Sequence, residues 1–267
     1  MERLIMLGTG SALDTRCYNT CFALQNDEEY MLIDAGGGNG ILRQIAAADI
    51  DCGRIHNIFL SSPEPSHLLG AIWVIRLIGD RMREETYEGD LRIYGQPAVL
   101  EALRVMSGLM LSRKLTWLYD HRILFVSLYD EDDRTIMGRP FHFFDTCSSS
   151  AKQYGFSTEL ADGGRLTFTG DEPLPESCYG YAEGSTWLMH AAYCLHSQKE
   201  IYNPYEKGYG TVKEACELAH YLEIPNLILV STEDDNLERR SDLYKAESRL
   251  YYHGNVVVPD DLEIISL

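Results

Sequence analysis

Basic residues are scarce in this chain: 23 lysines and arginines stand against 41 aspartates and glutamates, a formal charge of −18. That balance repels polyanions and removes most of the electrostatic attraction on which nucleic-acid binding depends, so a nucleic acid is not the expected partner. The acidic clusters "NDEEY", "YDEDDR" and "STEDDNLERR" have no basic stripe beside them and read as solvated loops and helix ends. No apolar run approaches the length of a membrane span. The opening "MERLIMLGTGSA" lacks the basic flank and long apolar segment of a signal peptide, which makes the cytoplasm the expected location. CxxC pairs are absent too, and the seven cysteines are scattered and odd in number, which suits reduced thiols better than a disulfide framework. With no internal repeat and no low-complexity linker, residues 1–267 are expected to form a single domain. The turns "GTGSA" and "AGGGNG" lack the lysine and glycine spacing of a phosphate loop, which argues against nucleotide binding.

What is present is a sheet-forming start followed by alternating elements. "RLIML", "TCFAL", "YMLIDAG" and "IHNIFL" are short runs rich in branched and aromatic residues between turn signals, and they predict strands. From Leu68 to about Met82 the apolar residues recur at helical spacing, and "QPAVLEALRVMSGLML" predicts a second helix with proline in its first turn. "FHFFDTC", "YGFSTEL", "RLTFTGD" and "NLILVST" predict further strands. "GTVKEACELAHYLE" and "NLERRSDLYKAESRLYY" predict helices. The class implied is α/β, sheets flanked by helices. The weakly patterned region at about 112–139 reads as an insertion, and the stretch at about 171–185 as a surface loop.

The chemistry is expected at "SSPEPSH", a polar loop between a strand and a helix, because α/β proteins gather their reactive groups at the carboxyl ends of strands. Several segments taken in order resemble the metallo-β-lactamase superfamily, ribonuclease Z-like branch. They are "LMLGTGSALDT", "YMLIDAGGG", "IHNIFLSSPEPSHLLGAIWVI", "LTFTGD", "WLMHAAYC", "YGTVKEACELA" and "LILVSTED". The resemblance implies a four-layer αββα sandwich and two metal ions, usually zinc, that share a hydroxide and stabilise charge on a phosphoryl or acyl oxygen.

In that family the ligand loop reads His-x-His-x-Asp-His. Here Ser62, Glu64, Ser66 and His67 stand in those places, so His67 alone keeps the family residue. The resemblance puts Cys147 and Ser231 where two further histidine ligands belong, and Tyr209 where the family has a histidine before Ser-Thr. Asp171 matches the bridging aspartate, Asp34 a supporting carboxylate, and His190 is followed by Ala191 where the family branch has a glutamate.

Each of these residues also has a plainer reading. His67 at a helix start suits hydrogen-bonded packing, Asp171 a turn cap, Glu64 a solvated loop between prolines, and Cys147 a small apolar group. The expectation is a degenerate hydrolase whose dinuclear site is lost. It would bind a small polar ligand or a protein partner through a vestigial cleft of Asp34, Ser62, Glu64, Ser66, His67, Cys147, Asp171, His190, Tyr209 and Ser231, with no cofactor. The alternative is a metal-dependent hydrolase of a phosphodiester or ester, with one zinc or other divalent ion on Glu64, Cys147 and Asp171, joined by His67. The family also implies a homodimer.

Overall fold

The apolar strand pattern of "IHNIFL" and the helical period after it are adjacent in sequence, and the computed structural model, which describes residues 2–27 and 29–267, contains both elements. The chain divides into two compact units, Met1–Gly8, Tyr18–Tyr129 and Asp261–Leu267 in the first, Thr9–Cys17 and Asp130–Asp260 in the second.

The first unit contains β1 (Arg3–Gly8), β2 (Cys21–Asn26), β3 (Glu29–Ile33), α1 (Gly40–Ala47), β4 (Ile55–Leu60), α2 (Pro65–Arg83), β5 (Leu91–Gly95), α3 (Pro97–Met110), α4 (Arg113–Thr116) and β6 (Ile123–Ser127). The pairs β1/β2 and β2/β3 are antiparallel hairpins, whereas β3 to β6 run parallel. Parallel neighbours need a crossover, and α1, α2 and the α3–α4 pair supply it. Leu32, Ile58, Val74, Ile75 and Ile93 are fully buried in its core.

The second unit contains β7 (Asp132–Ile136), β8 (Arg139–Asp145), β9 (Tyr154–Glu159), β10 (Arg165–Phe168), α5 (Tyr179–Ala182), β11 (Trp187–Ala191), α6 (Lys199–Tyr202), α7 (Val212–Tyr221), β12 (Asn226–Val230), α8 (Arg240–Ser248) and β13 (Asn255–Val257). The last strand, β14 (Ile264–Ser266), returns to the first unit and pairs with β1. Among the described residues each unit carries one seven-stranded sheet, in the orders β14-β1-β2-β3-β4-β5-β6 and β13-β12-β11-β10-β9-β8-β7. The second core gathers Phe144, Leu188, Val212, Leu227, Leu229 and Tyr244. The region 112–139 carries α4, β6 and β7.

α2 begins at Pro65, three residues before the apolar periodicity does. Proline suits the first helical position, where its missing N–H costs nothing, so the "PEP" motif itself starts the helix. α7 starts on a capping box in which Thr211 and Glu214 satisfy each other's backbone N–H groups.

The second unit also holds a pH-sensitive carboxyl. Burial, and after it the nearby carboxylates of Asp234 and Glu233, push Asp14 up to about 6 against donors from Ser11. A folded-state value above the unfolded one means the fold holds the extra proton, so the stabilisation is complete at low pH and is lost as pH rises through about 6. Asp14→Asn is therefore expected to gain about 1 kcal/mol on the natural protein between pH 4 and pH 7, a figure discounted for the solvent that reaches this loop. Urea unfolding of both proteins at the two pH values measures the gain.

Candidate functional site

The loop after β4 and the turn after β3 meet within the first unit. β3 ends at Ile33, and Asp34 follows with φ of 55° and a side chain only 1% exposed. Its backbone N–H donates to Phe59 O at 2.8 Å, which anchors it to β4. Its carboxylate accepts from Ser61 N–H at 2.8 Å, from Ser61 Oγ at 2.7 Å and from His67 Nδ1 at 2.8 Å. A carboxylate fully removed from water requires this many donors. His67 is 4% exposed, and Asp34 fixes the orientation of its ring through Nδ1.

The rest of the loop is held by backbone. Glu64 caps α2, with its carbonyl accepting from His67 N–H at 3.0 Å and its own N–H donating to Ser62 Oγ at 3.3 Å. Ser66 is buried, and its Oγ has no hydrogen-bond partner among the described residues. An unpaired buried hydroxyl costs about 1–3 kcal/mol in lost hydration. Ser66→Ala, which also improves helix propensity, is thus expected to stabilise the protein by about 1 kcal/mol in a urea titration.

In the second unit the expected residues stand at strand ends and in the adjoining loops. Asp171 follows β10 and Gly170. It is gripped by Gln153, whose Nε2 donates to Asp171 Oδ1 at 2.6 Å and whose Oε1 accepts from Asp171 N–H at 3.2 Å. Cys147 is exposed, with φ of 54°, and its N–H donates to Asp145 Oδ1 at 2.9 Å. Ser231 follows β12 in the left-handed region, at φ of 55°. Tyr209 packs its ring 4.9 Å from that of Tyr193, over which Lys207 Nζ lies at 5.0 Å.

His190 is buried on β11. Nδ1 lies 2.7 Å from Ala191 O, and Nε2 accepts from Leu174 N–H at 3.3 Å. Both nitrogens are thereby committed to one neutral tautomer, and burial lowers the pKa, which suits a structural histidine.

Three contributors escaped the sequence reading. Ser61 donates twice to Asp34, Gln153 fixes Asp171, and Glu172 gathers the serines after Cys147. The Glu172 carboxylate accepts from Ser148 Oγ at 2.8 Å, from Ser149 N–H at 2.7 Å and Oγ at 2.8 Å, and from Ser150. Burial works against the Glu172 charge, yet the serine donors outweigh it and lower the pKa. The signal available for this cluster was the run "CSSS", whose hydroxyls need an acceptor when the loop folds back.

Comparison with known proteins extends this picture. The profile of the family described as "Anti-Pycsar protein Apyc1" matches residues 2–222. A ribonuclease Z of Methanothermobacter thermautotrophicus is 27% identical over 274 aligned positions, covering 86% of each chain. A ribonuclease Z of Brevibacillus brevis is 22% identical, covering 98% of this chain and 95% of its own. Among solved structures, the metallo-β-lactamase fold protein YhfI of Bacillus subtilis superposes with a TM-score of 0.81 at 14% identity, over 99% of this chain and 98% of that one. The short form of human tRNase Z gives 0.76 at 17% identity, over 99% and 98%. The chain has the metallo-β-lactamase fold, as its ordered motifs implied, and the α/β class read from its elements stands.

Proposed function

The chain belongs to the anti-Pycsar protein Apyc1 family and to the ribonuclease Z-like branch of the metallo-β-lactamase superfamily, and from that premise we propose that it serves an anti-Pycsar role by binding a small polar ligand. It holds that ligand without hydrolysing it, on a scaffold whose dinuclear metal chemistry has been given up. The observation that carries this reading is Ser66. It stands where the family places an aspartate ligand, and it offers a buried, unpaired hydroxyl. Such a group is suited to a neutral hydrogen bond and is a poor ligand for zinc at neutral pH.

The remaining donors support the same reading. Ser62 and Ser231 are hydroxyls in place of imidazoles, and Tyr209 is a phenol. One oxygen of Asp171 is already bonded to Gln153. The donor set does not fit two ions. A homodimer forms part of this proposal, and light scattering on the purified chain tests it by reading twice the chain mass.

Elemental analysis of full-length protein purified without chelator tests the main reading. The expected result is far less than one equivalent of zinc, manganese or iron per chain, and no cleavage of bis(4-nitrophenyl) phosphate with zinc or manganese added. One equivalent, with cleavage abolished by Cys147→Ala, would establish instead a hydrolase that uses Glu64, Cys147, Asp171 and His67. Two equivalents would overturn the proposal outright.

A further inference from the structure

A pocket outside the ligand loop opens in the first unit, lined by Leu69, Ile72, Trp73 and Arg76 of α2, by Met110 and Leu111 at the end of α3, and by Gly37 and Gly38. Its volume is about 360 Å³, within the roughly 300–1,000 Å³ that small-molecule pockets occupy. The α2 residues fall at helical spacing, so a single stripe of that helix forms one wall. Trp73 and Met110 remain 38% and 68% exposed, a large apolar surface left to water.

The charge at the pocket is opposite in sign to the balance of the chain. Its net charge is −18, yet no carboxylate is among the described residues that line the pocket, and Arg76 is the lining group with a charge. The Arg76 guanidinium makes no ion pair or hydrogen bond with any described residue. Other arginines of the same unit do find carboxylates: Arg81 pairs with Asp51, Arg83 with Asp80 and Arg104 with Asp120. An apolar wall under a guanidinium to which no described residue supplies an anion is complementary to one kind of molecule.

We propose that this pocket binds a small amphiphilic carboxylate. Its chain or ring would lie on Leu69, Ile72, Trp73 and Met110, and its carboxylate on the planar fork of Arg76. A neutral apolar molecule would leave the exposed guanidinium paired with water alone. A small hydrophilic anion would leave the apolar wall wet. Occupancy would also press on Gly37 and Gly38, in the turn that begins with Asp34, the residue that orients His67.

The test is calorimetry on the full chain with decanoate, decanol and acetate, all below micellar concentration, together with Trp73 fluorescence read in a Trp117→Phe, Trp187→Phe background. Decanoate is expected to bind at least tenfold tighter than decanol and acetate, with Trp73 emission changed. Arg76→Gln should cut decanoate affinity about tenfold, to the level of decanol. Gly38→Leu should abolish binding by filling the space, and it should fold, since a Cβ on Gly38 meets nothing within 4 Å. Equal binding of decanoate and decanol would overturn the proposal, as would equal binding of acetate or an Arg76→Gln protein with unchanged affinity. Absence of decanoate binding, with Gly38→Leu altering the oligomeric state, would also overturn it and assign the pocket to a second copy of the chain.

Discussion

Asp34→Ala is expected to cost about 3–5 kcal/mol of unfolding free energy, measured by urea titration at pH 7, and to release the His67 ring from its orientation. The carboxylate is 1% exposed and receives donors from the Ser61 backbone, the Ser61 hydroxyl and His67 Nδ1. Alanine answers none of them, and each buried group left unpaired costs about 1–3 kcal/mol. The backbone adds to the loss. Asp34 sits at φ of 55°, a region aspartate and asparagine tolerate and alanine adopts at a cost of about 1 kcal/mol. Asp34→Asn keeps the shape and the turn while removing the charge, so it should lose about half as much. The two variants together separate charge from geometry. A cost below about 1 kcal/mol for Asp34→Ala would mean that the buried network contributes little to the fold.

How far this network was legible depends on the residue. The aspartate in "YMLIDAGGG" was visible because the motif resembles the family's strand and turn, where a supporting carboxylate stands. Its partner was not, because nothing in "SS" tells Ser61, which faces the core, from Ser62, which holds the loop. Asp171 was legible in "FTGD", whereas Gln153 was not, since an amide 18 residues earlier is paired with it only by the β9/β10 hairpin.

The same division holds for elements. β1 to β4, α2, α3 and α7 carry apolar periodicity or proline signals strong enough to read. β7, "DDRTI", is polar because it lies at the edge of its sheet, and β13 and β14 are three residues each, so pairing rather than pattern makes them strands. α1 begins with glycine and is eight residues long, which hid it behind the turn it follows. The final helix is shorter than its pattern: α8 covers Arg240–Ser248, after a single 3-10 turn.

Gly70→Ala should be at least as damaging as the loss of a buried ion pair, although it adds only one methyl group. Gly70 lies in α2 against the turn after β3, where its N–H donates to Gly36 O at 2.8 Å, while Ala35 N–H donates to His67 O at 2.8 Å. A Cβ built on Gly70 would stand 1.8 Å from Ala35 O and 2.7 Å from its carbonyl carbon. Those atoms are backbone and cannot swing aside, so either the turn or the helix must move. Moving the turn carries Asp34 away from His67, and the steric penalty is then compounded by the loss of the carboxylate network. The expected cost exceeds about 3 kcal/mol, read as a large drop in the urea midpoint or as failure to recover folded protein. Gly108→Ala is the control. That glycine is in the last turn of α3 with nothing within 4 Å of its Cβ position, so alanine there should stabilise by about 0.5 kcal/mol through helix propensity. Equal effects at the two sites would refute the claim that the close crossing of α2 over this turn holds His67 in place.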